Sequence, residues 1–195
     1  MKLSSYASSL NQIKELSQNG FLEVILAPSL LSRFGRTELN EFINLSKFAK
    51  ELKLNTICEW DILLTENSFS SLLNNISEND FKYIDEFRVQ DTGVLNYLLK
   101  NYKQKIQFIA ETGNHNLRSL LAFQTIIGSR LSRIILSLEL PQNKLKEFSE
   151  KLSTPTEILI FGRINLFYSP RKLISPYLDK TEDNKYIEIE VNSEE

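Results

Sequence analysis

The sequence predicts an α/β protein built as a (β/α) barrel. Short apolar or alternating runs of strand length recur about seven times, each followed by a stretch with helical periodicity. The alternation repeats at roughly 25-residue intervals, the size of one βα unit. Turn residues punctuate the runs, as in Asn19-Gly20, Gln90-Asp91-Thr92-Gly93 and Gly128. Seven or eight such units favour a closed barrel over an open sheet, although 195 residues falls just under the usual length for one. The expectation is a TIM-like barrel, either incomplete or with an atypical eighth unit.

Each element has its own signal. Residues 3–6 read as the first strand, and residues 8–18 as a helix with Leu10, Ile13 and Leu16 inward. Asn19-Gly20 closes that helix. Residues 21–27 (FLEVILA) are nearly continuous in apolar character, as in a parallel strand covered on both faces. A loop over 28–36 carries Arg33 and Arg36, and Thr37 stands as the cap of a helix running to Leu52. The third strand spans 55–64 and contains Glu59, Trp60 and Asp61. A short helix over 69–76 precedes the fourth strand, 81–90.

At Gln90-Asp91-Thr92-Gly93 the pattern turns from strand to helix, with Val94, Leu95, Leu98 and Leu99 inward. Asp91 suits a helix cap there, and Gln90 and Asp91 also sit at the strand's carboxyl end, the ligand-facing edge of βα folds. Residues 105–110 form the fifth strand, ended by Glu111 through Asn116 and followed by a helix over 117–127. The sixth strand is 133–140, the next helix 142–152 after Pro141, and the seventh strand 157–161. Residues 186–191 (YIEIEV) alternate as an edge or closing strand would. The domain division is a barrel over 1–178, then a polar linker and a C-terminal tail or edge strand over 179–195.

Composition narrows the function. A net charge of −2 gives no clear nucleic-acid surface. No run approaches the about 18 consecutive apolar residues of a membrane span, and the opening MKLSSYASSL carries no run of signal-peptide length. A cytoplasmic, soluble protein is the expectation. The single cysteine, Cys58, excludes an internal disulfide or a site of several thiolates from this chain. With one histidine, His115, a zinc site made only of His and Cys from this chain alone is not expected.

Four stretches resemble the peptidase U32 family, also called collagenase-like proteases. Val89-Gln90-Asp91-Thr92-Gly93-Val94 matches the family's V-Q-D-x-G-V. Residues 133–140 match R-V-V-L-x-R-E-L, with Leu138 at the second Arg, and residues 58–63 loosely match V-T-L-N-x-L, with Asp61 at the Asn. Residues 161–175 follow H-G-x-x-C-x-x-Y-S-G-x-C-x-x-S and keep Gly162, Tyr168, Ser169 and Ser175. There the family His falls on Phe161 and the two cysteines on Asn165 and Lys172. The resemblance covers roughly residues 1–175. It implies a barrel and a homology-level reading as a collagenase-like peptidase. Better characterised relatives hold an iron–sulfur cluster on four cysteines; Asn and Lys do not replace thiolates, so the cluster is not expected here.

In a barrel, the candidate catalytic residues Asp61, Gln90, Asp91, Glu139 and Tyr168 lie at or just past strand ends on one face. The ligand-binding candidates Arg33, Glu111, His115 and Arg163 lie there too. Several carboxylates around one mouth suit acid–base work or a hard divalent cation, although no cofactor is predicted. The structural alternative is that they cap helices and pair with Arg33, Arg36, Arg133 and Arg163. Three functions stay open: a U32-like protein with weak or no catalysis, a regulatory partner or homo-oligomer joined through an open barrel edge, and a small-molecule binder using the charged mouth.

Overall fold

The computed structural model describes residues 2–111 and 114–162. Seven strands form one sheet in chain order, every neighbouring pair parallel: β1 Ser4–Tyr6, β2 Glu23–Leu26, β3 Asn55–Trp60, β4 Glu86–Val89, β5 Lys105–Ile109, β6 Leu131–Ile135 and β7 Thr156–Glu157. Strictly sequential parallel order requires a crossover after each strand, and helices supply five: α1 Leu10–Gln18, α2 Leu39–Glu51, α4 Thr92–Asn101, α5 Leu117–Ile127 and α6 Gln142–Lys151, with α3 Glu66–Leu73 and a 3-10 turn Glu78–Phe81 together making the crossover from β3 to β4. The sheet curls into an incomplete barrel. Ser4 Oγ of β1 comes within 3.3 Å of Glu157 Oε2 of β7, yet the backbones of these two strands do not pair.

The helices start where side chains satisfy the free amides of the first turn. Ser9, Thr65, Asp91 and Asn116 each accept from the backbone three residues on. Thr37 does not cap α2 as expected. It bridges to Pro28, its hydroxyl donates to the Ala27 carbonyl, and Glu38 precedes the helix with no side-chain cap. Leu10 also departs from expectation: at the first position of α1 it lies half exposed, while Ile13 is the residue of that helix that is fully buried.

Alternation along the strands divides two interiors. Val24, Leu26, Cys58, Trp60, Phe87, Val89, Ile106, Phe108 and Ile134 face the helices and form the main core. Phe81, placed by the 3-10 turn, is fully buried against Phe42, Trp60, Phe87 and Tyr102, with ring centroids 5.2 to 6.2 Å apart. Each such ring contributes on the order of 2–3 kcal/mol by burial.

The alternate residues face the barrel axis, and there Ile25, Ile57 and Ile109 share the interior with charged and polar side chains. Glu23, Glu59, Arg88 and Gln107 are all buried, so β2 is covered on both faces as its sequence suggests, but with a carboxylate on the inner one. The compensation is an ion-pair network that spans the barrel. Arg133 of β6 binds Glu23 of β2 and Glu157 of β7, and Arg88 of β4 binds Glu157 and Gln107. Below it, Glu86 accepts from Asn55, Gln107 and Ser132. Burial opposes ionisation of Glu86, but those three hydrogen bonds and Arg133 outweigh it and hold the carboxyl below its ordinary range.

The expected seventh strand is displaced. The ladder ends at Glu157, and Ile158, Leu159, Ile160 and Phe161 are exposed, Phe161 by 95%. The sixth strand likewise begins two residues before Arg133 and stops at Ile135, with a register shift opposite Ile106 and Gln107. Residues 178 and 179 and the 186–191 run lie outside the described residues. Among the described residues no helix is long and apolar enough to cross a membrane.

Candidate functional site

The loop over 28–37 brings the first functional side chain into the barrel. Ser29 N–H donates to Thr37 O at 2.9 Å, and Leu31 and Ser32 N–H both donate to Pro28 O, closing the loop on itself. Gly35 passes so close to the Pro28 carbonyl that a Cβ there would collide with backbone. This fold-back aims Ser32 and Arg33 inward, both under 5% exposed, and leaves Phe34 57% exposed beside them.

Arg33 is the centre of the mouth. Its backbone N–H donates to Asp61 Oδ1 at 2.8 Å and its Nε to Asp61 Oδ2 at 2.7 Å. Its Nη2 reaches Gln90 Oε1 at 3.0 Å and Glu111 Oε2 at 3.3 Å. Burial disfavours the guanidinium charge, but Asp61 and Glu111 outweigh that and raise its pKa. Four expected site residues, from the loop after β2 and the ends of β3, β4 and β5, are thus in direct contact.

At the rim, His115 Nε2 lies 2.9 Å from the Glu111 carbonyl oxygen and 3.5 Å from Glu139 Oε2. The Glu139 side chain is 77% exposed. Asp91 is not part of this cluster: its carboxylate turns away to accept from Val94 N–H at 2.9 Å and caps α4. Arg163 and Tyr168 lie outside the described residues.

A second inward carboxyl, Glu59, was not singled out by the sequence. It accepts from the Tyr6 hydroxyl of β1 and from Ser32 Oγ at 2.9 Å. Burial, then the neighbouring Asp61 charge, push the Glu59 carboxyl up to about 7, against the lowering effects of Tyr6, Arg88 and Ser32. The available signal was its spacing, two residues before Asp61 on one strand and so on the same face. Cys58 points the other way, into the helix-side core, where burial raises its thiol pKa well above the ordinary value.

No group of three or more His, Cys, Asp or Glu among the described residues is placed to hold a metal ion. The sole cysteine, Cys58, is sealed among helix-facing side chains. A shallow hollow of about 430 Å³ between α1 and α2, lined by Ser9, Leu10, Asn11, Glu41, Asn44 and Leu45, contains no residue of the mouth cluster.

Comparison with known proteins agrees with this architecture. The family model described as Peptidase family U32 matches residues 8–186. No curated protein matches the sequence. Among solved structures, the U32 peptidase Mk0906 aligns with a TM-score of 0.61 at 12% identity, over 81% of this chain and 68% of its own. A putative dihydrodipicolinate synthase family protein from Coccidioides immitis aligns with a TM-score of 0.54 at 8% identity, over 80% of this chain and 58% of its own. The GH113 β-mannanase AaManA from Alicyclobacillus acidocaldarius gives 0.53 at 9%, over 80% and 69%. At such identities these likenesses establish the barrel-type fold and nothing about chemistry.

Proposed function

The chain belongs to the peptidase U32 family, and from that premise we propose that its barrel mouth binds a small polar ligand without independent peptidase activity. The observation that carries the reading is Arg33, held on Asp61 while its outer edge meets Gln90 and Glu111. A guanidinium fixed from three other chain segments is a preorganised hydrogen-bonding platform. Peptide cleavage needs an activated nucleophile, and the described candidates do not supply one. The Cys58 thiol is buried away from the mouth, and the His115 ring contacts a carbonyl and a carboxylate rather than a hydroxyl or thiol. Loss of the iron–sulfur cluster belongs to the same proposal, supported by Asn165 and Lys172 at the motif's cysteine positions. So do a cytoplasmic location, supported by the free Cys58 thiol, and a barrel domain ending near residue 178.

Native mass spectrometry of the protein from its own host tests this. The expected result is a small-molecule adduct that disappears in Glu111→Ala while the fold persists. Cleavage of gelatin or casein that is lost in Asp61→Asn overturns it.

One observation favours a second reading, in which the chain serves as a protein partner. Among the described residues β1 pairs only with β2, leaving one backbone edge without a partner there beside exposed Leu3 and Tyr6, and residues 158–161 after β7 are exposed as well. A doubled mass or a second polypeptide in the same spectrum, without a small molecule, selects this reading.

A further inference from the structure

We propose that the outward face of α5 is a two-fold interface through which two copies of this chain pair, their α5 helices antiparallel. The inference depends neither on the ligand proposed for the mouth nor on the edge of β1.

The inner side of α5 fixes how the helix is turned. Leu120 and Ile127 are buried, and the Phe123 ring stacks on Phe108 of β5 with centroids 4.2 Å apart. At about 100° per residue, that orientation leaves Arg118, Leu121, Ala122, Thr125 and Ile126 on one outward stripe. All five are exposed, Leu121 by 38% and Ile126 by 66%. Surface helices present charge on this side, and α6 does so with exposed Lys144, Lys146, Glu150 and Lys151. In α5 there is no acidic residue and a single basic one, Arg118. The Thr125 hydroxyl donates to Leu121 O at 3.0 Å, so burying Thr125 orphans no polar group.

The order of residues along the stripe selects a second copy as its occupant. Leu121-Ala122 and Thr125-Ile126 read large-small, small-large, the same from either end. In an antiparallel pair Ala122 comes level with the partner's Thr125, and Leu121 with the partner's Ile126. Ala122 and Thr125 lie near the middle of the stripe and let the backbones approach, while Leu121 and Ile126 lie on its opposite flanks. The two-fold therefore sets Leu121 and the partner's Ile126 on opposite sides of one level, and both sides of the contact are closed. Charge agrees with this direction. Arg118 comes level with the partner's Ser129, just past the end of the partner's α5, where the last carbonyls carry the negative end of the helix dipole. A parallel pair sets Arg118 against its own copy instead. One helix from each chain buries less than the roughly 1,000 Å² of a permanent interface, so the pairing is reversible.

Sedimentation equilibrium on the full chain tests the pairing. The average mass is expected to rise from one chain toward two between about 5 and 500 µM. Ile126→Glu sets two carboxylates on one flank of the contact and should hold the mass at one chain throughout. Its melting temperature should not change, because Ile126 is already exposed. Thr125→Cys should yield a covalent dimer on mild oxidation, its two copies lying near the two-fold axis. Arg118→Cys should not, since its two copies stand roughly 16 Å apart along the helices. A single-chain mass at every concentration, a dimer that survives Ile126→Glu as one built on β1 does, or equal cross-linking at the two cysteine positions each overturns the proposal.

Discussion

Arg33 and Asp61 meet through two parallel contacts, backbone N–H to Oδ1 at 2.8 Å and Nε to Oδ2 at 2.7 Å, with both side chains at or below 5% exposure. The pair ties the loop after β2 to the end of β3, so the position of the loop and that of the mouth are one structural fact. Removing one partner leaves a buried charge uncompensated. Arg33→Met is therefore expected to lower unfolding free energy by about 3–5 kcal/mol in urea titration. Arg33→Lys should recover less than half of that, because an ammonium cannot match the fork of contacts to Asp61, Gln90 and Glu111.

The βα rhythm made the fold legible, and the carboxyl-end rule located Arg33, Asp61, Gln90 and Glu111 without contact information. Asp91 shows the limit of that rule. It sits one residue past Gln90, and parity sends its side chain out of the barrel to the cap of α4. The inner network escaped notice because charged residues inside apolar runs, such as Glu23 in FLEVILA, reveal their partners only when the sheet curls. Arg133 lies 110 residues from Glu23. The apolar run 158–161 suggested a strand on hydrophobicity, yet the pairing register with β6 ends at Glu157.

Glu59 sets a pH dependence with a definite sign. Its folded pKa is raised, so its contribution is fully present below about 4.5 and is lost as pH rises through about 7. Between those values the unfolded chain binds fewer protons than the folded one at this group. Its contribution should decline by on the order of 3 kcal/mol over the interval. Glu59→Gln should remove that slope from unfolding free energies measured between pH 5 and 8. A slope unchanged by the substitution contradicts the assignment to Glu59.

Gly35 is required by close approach rather than by its dihedral. An added Cβ falls against the carbonyl of Pro28, an oxygen that also accepts from Leu31 and Ser32. Gly35→Ala must therefore push the loop off its own closure and draw Arg33 away from Asp61. A loss of about 1–3 kcal/mol is expected, typical of overpacking against backbone. The effect should be smaller in an Arg33→Met background, where the shared anchor is already gone. Equal losses in the two backgrounds would separate the loop from the mouth.

Glu157 occupies a hub out of proportion to its strand. β7 has only two residues, yet this carboxylate accepts from Ser4 of β1, Arg88 of β4 and Arg133 of β6. Among the described residues, side chains thus join β1 and β7, whose backbones do not pair. Glu157→Leu removes the ion-pair partner of Arg88, whose remaining hydrogen-bond partner is the neutral Gln107, whereas Arg133 keeps Glu23. About 3 kcal/mol should be lost. Replacing Arg88 as well, in the Glu157→Leu Arg88→Met double variant, removes the orphaned charge. The double variant is expected to lose at least about 1 kcal/mol less than the two single losses summed, measured in a double-mutant cycle. Strict additivity would mean that Arg88 is satisfied without Glu157, and that the network does not hold β1, β4, β6 and β7 together.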